Sequence, residues 1–276
     1  MSWTCPSCSH KPKLIDEYLS FAPKLAETID SFDPKFFAQL ATLEAKNFWF
    51  RSRNRLIIWA LQRYFPQATT FLEIGCGTGF VLSGIEKAFP ELTLYGSEIF
   101  TTGLGFANQR LCRSELFQMD ARKIPFKDEF YVIGAFDVLE HIQEDKTVLA
   151  EMYRATQKGG GIVLTVPQHP WLWSQADDNA HHARRYRAQE LKTKVDRVGF
   201  TVVRMTSFVS LLLPLMLLSR LRQRRPNPNY DVMSELRISG VLNFLLENIL
   251  NLEFIMIRHG ISLPFGGSLL LVAKKL

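Results

Sequence analysis

Short apolar runs alternate with amphipathic segments through the middle of the chain. The runs are predicted β-strands, because four to nine mostly apolar residues bounded by turn residues are typical of buried strands. They occupy residues 71–74, 92–96, 116–119, 130–136, 162–166, 200–208 and 267–273. Residues 80–89, 143–156 and 188–198 are predicted helices between them. This alternation predicts an α/β fold with a doubly wound sheet, in which ligands bind beyond the carboxyl ends of the strands.

The rest of the chain predicts additions to this core. Residues 1–40 contain four prolines between short apolar patches, which indicates an N-terminal cap of short helices. Residues 40–65 carry an aromatic and aliphatic side opposite a basic side, and predict one helix that ends before Pro66. We therefore divide the chain into a cap (1–40), a core (41–208), a helical insertion or lid (209–264) and a final core strand (265–276).

A glycine-rich turn follows the first core strand, in the segment FLEIGCGTGF at residues 71–80. Glycine is needed where the backbone takes positive φ or lies directly against a ligand, and the following helix start offers unpaired N–H groups. The dinucleotide fingerprint G-x-G-x-x-G does not fit, because Gly79 comes one residue early and Phe80 follows it. A nucleotide-like ligand of another kind fits the turn.

Acidic residues end the next three strands, at Glu98, Asp120 and Asp137. A carboxylate at such a position can accept hydrogen bonds from ribose hydroxyls or from an adenine amine, while a backbone N–H donates to the ring. Taken singly, each residue can equally be a cap at the end of its strand. Their common place at one edge of the sheet predicts a shared site.

The pattern E-x-G-x-G-x-G, which begins at Glu73, resembles motif I of class I S-adenosylmethionine-dependent methyltransferases. The acidic strand end about twenty residues later, Asp120-Ala121, FDVLEH and the KGGG turn follow in the order and spacing of that family. The resemblance covers roughly residues 40–208 and departs at Tyr131, where the family commonly has Asp in a structural role. It implies a Rossmann-like sheet of seven strands, the last antiparallel, and S-adenosylmethionine as the cofactor.

The resemblance also implies which residues bind that cofactor. Glu98 is expected on the ribose hydroxyls, Asp120 and the Ala121 N–H on the adenine, and Arg53 on the methionine carboxylate. For Arg53 and the aromatic residues around it, packing with solvated arginines is the competing interpretation. The full predicted set is Glu73, Gly75, Cys76, Gly77, Gly79, Glu98, Ile99, Asp120, Ala121, Phe136 and Arg53.

The residues after the fourth strand bear on the acceptor. Amino methyltransferases of nucleic-acid bases often have N/D-P-P-Y there, whereas this chain has FDVL at residues 136–139, so nucleic acid is not an expected substrate. Asp137, Glu140 and His141 instead resemble a motif of small-molecule O-methyltransferases, including the ubiquinone-pathway enzymes, where the trio can approach a divalent metal. We predict Asp137 and His141 as catalytic, with His141 a base that titrates near neutrality, and assign no metal. The alternative is a helix cap with flanking charges.

The loop at residues 168–187 holds two tryptophans, three histidines and three arginines. It resembles a bacterial methyltransferase subgroup with a W-L-W-S loop and an H-x-R-R-Y segment. An arginine cluster beside aromatic faces suits a phosphate or sugar-phosphate. Alternatively, the tryptophans plug the sheet end and the arginines are solvated. The predicted substrate-binding residues are Trp171, Trp173, His182, Arg185 and Tyr186.

Net charge indicates which partners the protein favours, and cysteine content indicates its cellular compartment. The net charge of +6 favours anionic partners, and an apolar run at 209–218 followed by four arginines to residue 225 suits peripheral contact with anionic lipid. A buried lid is the alternative for this segment. Four scattered cysteines and an N-terminus without a signal pattern predict the cytosol, and Cys5 with Cys8 supplies only half of a zinc knuckle.

These observations favour an enzyme that methylates a small or lipid-linked acceptor at oxygen. An RNA or protein methyltransferase that uses the basic surface is the rival enzyme, and it predicts salt-sensitive nucleic-acid binding. A membrane-docking module that retains the fold without chemistry is the rival of another class.

Overall fold

A computed structural model of the chain describes residues 3–6, 8–26, 35–222, 233 and 236–276. One mixed β-sheet is its centre. Its strands are β1 (Lys13–Ile15), β2 (Tyr18–Ser20), β3 (Thr70–Ile74), β4 (Thr93–Glu98), β5 (Glu115–Gln118), β6 (Phe130–Phe136), β7 (Thr156–Pro167), β8 (Thr201–Phe208) and β9 (Ser268–Lys274). The spatial order is β1-β2-β5-β4-β3-β6-β7-β9-β8.

The predicted doubly wound core is present in this sheet. Neighbours from β5 through β7 pair in parallel, and β9 lies antiparallel between β7 and β8, as predicted for the last strand. The predicted count of seven strands is wrong for the described sheet, because an N-terminal hairpin adds β1 and β2.

That hairpin also corrects the predicted cap of short helices. β2 pairs in parallel with β5, and the hydroxyl of Ser20 donates to the Gln118 side chain over 2.7 Å. The turn between β1 and β2 places Asp16 and Glu17 at positive φ, a conformation for which the sequence offers no glycine. The N-terminus therefore extends the sheet edge as well as covering it.

Helices cover both faces of the sheet. They are α1 (Pro23–Ala26), α2 (Lys35–Leu43), α3 (Phe48–Tyr64), α4 (Phe80–Ala88), α5 (Thr101–Arg110), α6 (Asp145–Ala155), α7 (Gln175–Asn179), α8 (Ala188–Arg197), α9 (Leu213–Arg222) and α10 (Gly240–Arg258). The single helix predicted over residues 40–65 is divided in two. Asn47 makes the break, because its side chain accepts from the Trp49 N–H over 2.9 Å and caps α3.

Alternate residues of the central strands enter two apolar clusters, one on each side of the sheet. Phe71, Val132 and Val163 pack on the side of α3, α4 and α10, whereas Leu72 and Ile133 pack on the side of α6 and α8. Strands that are buried on both faces appear in the sequence as continuous apolar runs, so their positions could be predicted well. The polar groups that follow them are left at the strand ends.

In its described residues, the predicted insertion contains α9 and α10 between β8 and β9. Helix α10 packs along α3 and covers the carboxyl ends of the strands. By length and composition it is apolar enough to cross a membrane, and only 22% of its most apolar window is buried inside the protein.

Candidate active site

A cavity of about 1120 Å³ lies at the carboxyl ends of the parallel strands. The glycine turn after β3 and the ends of β4, β5 and β6 form one half of its wall, which we call the strand-end half. Helices α9 and α10 contribute apolar residues to the opposite half, which we call the lid half. The volume suits a cofactor together with an acceptor, since ligand pockets commonly run from 300 to 1,000 Å³.

The glycine turn has the geometry that its sequence predicts. Gly75 and Gly77 have φ of +68° and +51° and both line the cavity. A Cβ on Gly75 would lie 2.5 Å from a methyl carbon of Val138, so backbone and neighbouring loop are in close contact there. Gly79 does not line the cavity in the described chain: it begins α4, and a Cβ on it would meet Ala107 of α5 at 3.0 Å. Its place fits helix packing better than cofactor contact.

Glu98 holds the glycine turn in place through hydrogen bonds. Its carboxylate accepts from the Gly77 N–H over 3.0 Å and from the Ile99 N–H over 2.7 Å. Burial raises the pKa of this carboxyl, and the backbone hydrogen bonds oppose that rise. The side chain is buried yet borders the cavity, so its oxygens can also accept hydrogen bonds from a ligand.

Glu73 presents a buried carboxyl that lacks a hydrogen bond on one oxygen, Oε2. Burial raises its pKa well above the usual range, and the nearby Arg53 charge only partly opposes this. A buried polar group without a partner is costly, so its position on the cavity wall indicates that a bound ligand completes it. A cationic amine or a hydroxyl would do so.

The other predicted cofactor residues gather on the same wall. Cys76, Ile99, Ala121 and Phe136 line the cavity, and burial raises the thiol pKa of Cys76 well above its usual range. Asp120 also lines it, while its carboxylate holds the Arg122 guanidinium at 3.0 Å. Asp120 must therefore share its oxygens between Arg122 and any adenine amine.

Arg53 and Asp137 form an ion pair on the cavity wall. Asp137 has a φ of +58°, and the Thr165 hydroxyl donates to its carboxylate over 3.3 Å. The Arg53 guanidinium lies over the Trp49 ring, 4.5 Å from its centroid. Arg53 is thus held by both neighbours, and Asp137 is not an unpaired base.

His141 lies in the cavity wall beside Glu140 and His182. Its side chain is exposed to the cavity, and partial loss of hydration together with the charge of His182 lowers the pKa of His141 to about 4. The prediction that His141 titrates near neutrality is therefore corrected. Its ring stands edge-on to that of His182, with 4.7 Å between centroids.

Asp177 holds His182 and Arg185 in place through hydrogen bonds, and it is not among the site residues predicted from the sequence. Hydrogen bonding from His182 and the charge of Arg185 outweigh burial and lower the pKa of Asp177 to about 2. Since an ionised carboxylate only accepts, the 2.9 Å contact means that His182 Nδ1 carries a proton and Nε2 is the other ring nitrogen available. Arg185 donates to the same carboxylate over 2.7 Å.

Among the described residues, one group of three side chains can hold a metal ion. The ligand atoms of Glu140, His141 and His182 lie within 4.8 Å of one another. Burial and the charge of Asp137 raise the pKa of Glu140 well above its usual range, and its Oε2 has no hydrogen bond. An ion or a ligand amine would supply the missing partner.

The predicted substrate loop is divided by the structure. His182 and Arg185 line the cavity, whereas Tyr186 is fully buried and its hydroxyl donates to Asp145 over 2.7 Å. The substrate role of Tyr186 is therefore wrong, because its ring packs in the core. Trp171 and Trp173 are exposed and do not border the described cavity, and Trp173 donates to Asp178 over 2.9 Å.

A second polar group on the cavity wall escaped the sequence analysis. The Thr78 hydroxyl donates to the Glu44 carboxylate over 2.6 Å, and Arg110 donates to the same carboxylate over 2.8 Å. Glu44 comes from the turn after α2 and Thr78 from the glycine turn, so only the fold joins them. This network closes the strand-end half against the N-terminal helices.

Comparison with known proteins shows what the chain is similar to. Residues 72–164 match the family described as Methyltransferase domain. The chain is 33% identical over 107 residues to a phosphatidylethanolamine N-methyltransferase of Cereibacter sphaeroides, covering 34% of this chain and 48% of that one. It is 29% identical over 101 residues to a ubiquinone/menaquinone biosynthesis C-methyltransferase of Desulfotalea psychrophila, covering 36% and 41%. The matches span less than half of these two relatives.

Solved structures of low sequence identity share the fold. Phosphoethanolamine N-methyltransferase 2 of Haemonchus contortus, in complex with S-adenosyl-L-methionine, superimposes with a TM-score of 0.54 at 17% identity, over 80% of this chain and 52% of that chain. A methyltransferase bound to the Trm112 activator of Haloferax volcanii reaches 0.58 at 14% identity, over 87% and 94%. The cavity described above lies at the strand ends of this shared fold.

Proposed function

Because the chain belongs to the class I S-adenosylmethionine-dependent methyltransferases, we propose that it methylates a hydroxyl of a small or lipid-linked acceptor. The observation that carries the proposal is a cavity whose strand-end half brings several polar groups together and whose lid half is mainly apolar, with Ser219 and Arg220 of α9 as its polar members. Such a cavity can hold a nucleoside cofactor and an amphiphilic acceptor side by side.

The residues of the strand-end half fit the cofactor. Glu98 offers its oxygens to the ribose and Asp120 to the adenine, and Glu73 offers its unpartnered oxygen, Oε2, to the amine of the methionine part. Gly75 and Gly77 let the backbone approach it without a side chain between. When bound, S-adenosylmethionine supplies an electrophilic methyl group, so the work of the protein is alignment and exclusion of water.

We assign His141 the removal of the acceptor proton. With a pKa of about 4 it is neutral at pH 7 and free to accept, although a base of such low pKa is weak until an anionic group binds beside it. Asp137 acts through Arg53, which it holds against Trp49. Asp137 is thus proposed as a positioning residue, and an Arg53 that faces the cavity can meet the carboxylate of the cofactor.

The acceptor is proposed to carry an apolar tail and an anionic or polar head. Leu212, Leu215, Met216, Leu242 and Leu246 give the lid half an apolar wall, and His182 and Arg185 line the same cavity. A head with phosphate or sugar-phosphate suits Arg185. A cytoplasmic location at the membrane surface, with contact through residues 209–225, stays a prediction; Arg224 and Arg225 lie outside the described residues.

Methylation at nitrogen is the second candidate. A relative is named a phosphatidylethanolamine N-methyltransferase, and Glu140 keeps an unpartnered carboxyl oxygen in this cavity, which suits an amine. Acceptor screens should therefore pair each hydroxylated lipid with its amino analogue. The atom that gains the methyl group decides between the two candidates.

Calorimetric binding of S-adenosylmethionine and S-adenosylhomocysteine tests the cofactor site. We expect Glu98→Ala to weaken binding about a hundredfold, since two charge-assisted hydrogen bonds are lost. Glu86→Ala is the matched control, because Glu86 likewise accepts backbone N–H bonds, from Cys112 at 3.1 Å and Arg113 at 2.7 Å, but does not border the cavity. Equal weakening by both variants would contradict the assignment, and no binding by folded wild type would favour a docking module without chemistry.

A further inference from the structure

Helix α10 turns polar as well as apolar residues toward the protein. The Arg51 Nε and the Arg55 guanidinium donate to Glu247 over 3.0 and 3.2 Å, and Asn243 accepts from the Phe48 N–H over 2.7 Å. All three partners of α10 come from α3. These hydrogen bonds and ion pairs add to the apolar packing of Leu246, Leu250 and Ile257, which are buried on the inner side of α10.

Glu253, the other acidic residue of α10, is also turned inward. Its carboxylate is buried and accepts from the N–H groups of Val209, Ser210 and Leu211 over 2.6 to 2.8 Å. Both acidic residues of the helix are thus consumed by internal contacts. The outer side of α10 is left without a negative charge.

The outer side is apolar and exposed. Val241 is 75% exposed and Phe244 65%, and the neighbouring positions toward the C-terminus continue the same surface. The polar residue among them, Asn248, donates to the Phe244 carbonyl within the helix. We call this surface the α10 apolar face: Val241, Phe244, Leu245, Ile249, Leu252 and Ile255. Contiguous exposed apolar surfaces of this kind mark interaction sites.

We propose that the α10 apolar face docks the protein on the surface of an anionic lipid bilayer. Arg237 before the helix and Arg258 at its end are exposed, so basic groups flank the apolar face as in interfacial helices. The net charge of +6 agrees with an anionic partner. The helix lies in the plane of the membrane, because its inner side is bonded to α3 along its length and is not available to lipid.

Docking in this orientation gives the cavity access to the bilayer. Leu242 of α10 and Leu215 of α9 are exposed at the surface and also line the cavity. Leu217 and Leu218 extend the exposed apolar surface along α9. A lipid-linked acceptor can therefore present its head to the cavity while its tail stays in the membrane. This route rests on the proposed function, whereas docking can be measured without methyl transfer.

Vesicle flotation tests the docking. The full chain is mixed with vesicles of phosphatidylcholine alone or with one third phosphatidylglycerol, and we expect the protein to float with the anionic vesicles. Phe244→Glu with Leu252→Glu should lower binding at least about tenfold, because charges enter the buried side of an interfacial helix. Leu14→Glu is the control: Leu14 is as exposed as Phe244, but lies on β1 at the opposite edge of the sheet.

Three results would overturn the proposal: folded wild type that does not float, a double variant that floats as well as wild type, or equal loss in Leu14→Glu. Gel filtration with light scattering separates one further case. A dimer that the double variant dissociates, without vesicle binding by wild type, would make this face a contact between two copies. Cofactor binding by the same samples shows whether the methyltransferase assignment stands when docking fails.

Discussion

A buried carboxylate that accepts backbone hydrogen bonds occurs near both halves of the cavity, but it has a different role in each. Glu98 in the strand-end half and Glu253 on α10, behind the lid half, are both buried carboxylates that accept backbone N–H bonds. Glu98 borders the cavity, so a ligand can compete for its oxygens. Glu253 meets the backbone that leads into α9 and does not border the cavity. A buried carboxylate can therefore belong to a ligand site or can stabilise the backbone as a brace. Its access to the cavity distinguishes the two roles.

The glycine turn of the strand-end half should show the largest effect. We expect Gly75→Ala to lower the free energy of unfolding by about 3 kcal/mol, because a Cβ at φ +68° is strained and would lie 2.5 Å from Val138. Denaturant unfolding measures this. Gly105→Ala on α5 is the control, since nothing lies within 4 Å of its Cβ, and it should stabilise by about 0.5 kcal/mol. Equal stability of Gly75→Ala and wild type would show that the turn is not close-packed.

The brace of the lid half should show a smaller and local effect. Glu253→Gln removes the charged acceptor of the Val209, Ser210 and Leu211 N–H groups, and we expect a cost of about 2 kcal/mol. Amide hydrogen exchange at residues 209–213 should then accelerate about thirtyfold, with little change in the central strands. Glu247→Gln on the same helix weakens only half-buried ion pairs and should leave those amides unchanged. Faster exchange across the whole sheet would contradict a local brace.

The smallest effect is the pH dependence of the free energy of unfolding that His141 in the cavity wall should cause. The folded state keeps His141 neutral down to a pKa of about 4, whereas the unfolded chain protonates it near 6.5. Protons therefore favour the unfolded state in this window, and the free energy of unfolding should rise with pH from about 4 to 6.5 and level off above. His141→Gln should reduce that slope, as urea unfolding at several pH values would show. An unchanged slope would mean that the cavity hydrates His141 fully.

Sequence reasoning was most successful in the strand-end half. The strand at Phe130–Phe136 was predicted with its observed bounds, and most cofactor residues after Glu73 gather on one wall. A strand that is buried on both faces is apolar along its whole length, and a polar residue must follow it if the strand end is to bind a ligand. Both the apolar run and the polar residue after it are visible in the local sequence. The Gly79 contact with Ala107 and the core position of Tyr186 depended on packing between distant segments and were not visible.

The sequence by itself determined the alternating core, the glycine turn and the acidic strand ends, because periodicity and spacing are local properties. Only the tertiary structure decided that the N-terminus adds a hairpin, that Arg53 pairs with Asp137, and that partial loss of hydration and the nearby His182 lower the pKa of His141. It alone also decided which side of α10 faces outward. An apolar helix can turn either side to its protein, and here the inward side is fixed by core packing of Leu246 and Leu250 and by the bonds of Glu247 to the arginines of α3, nearly two hundred residues away.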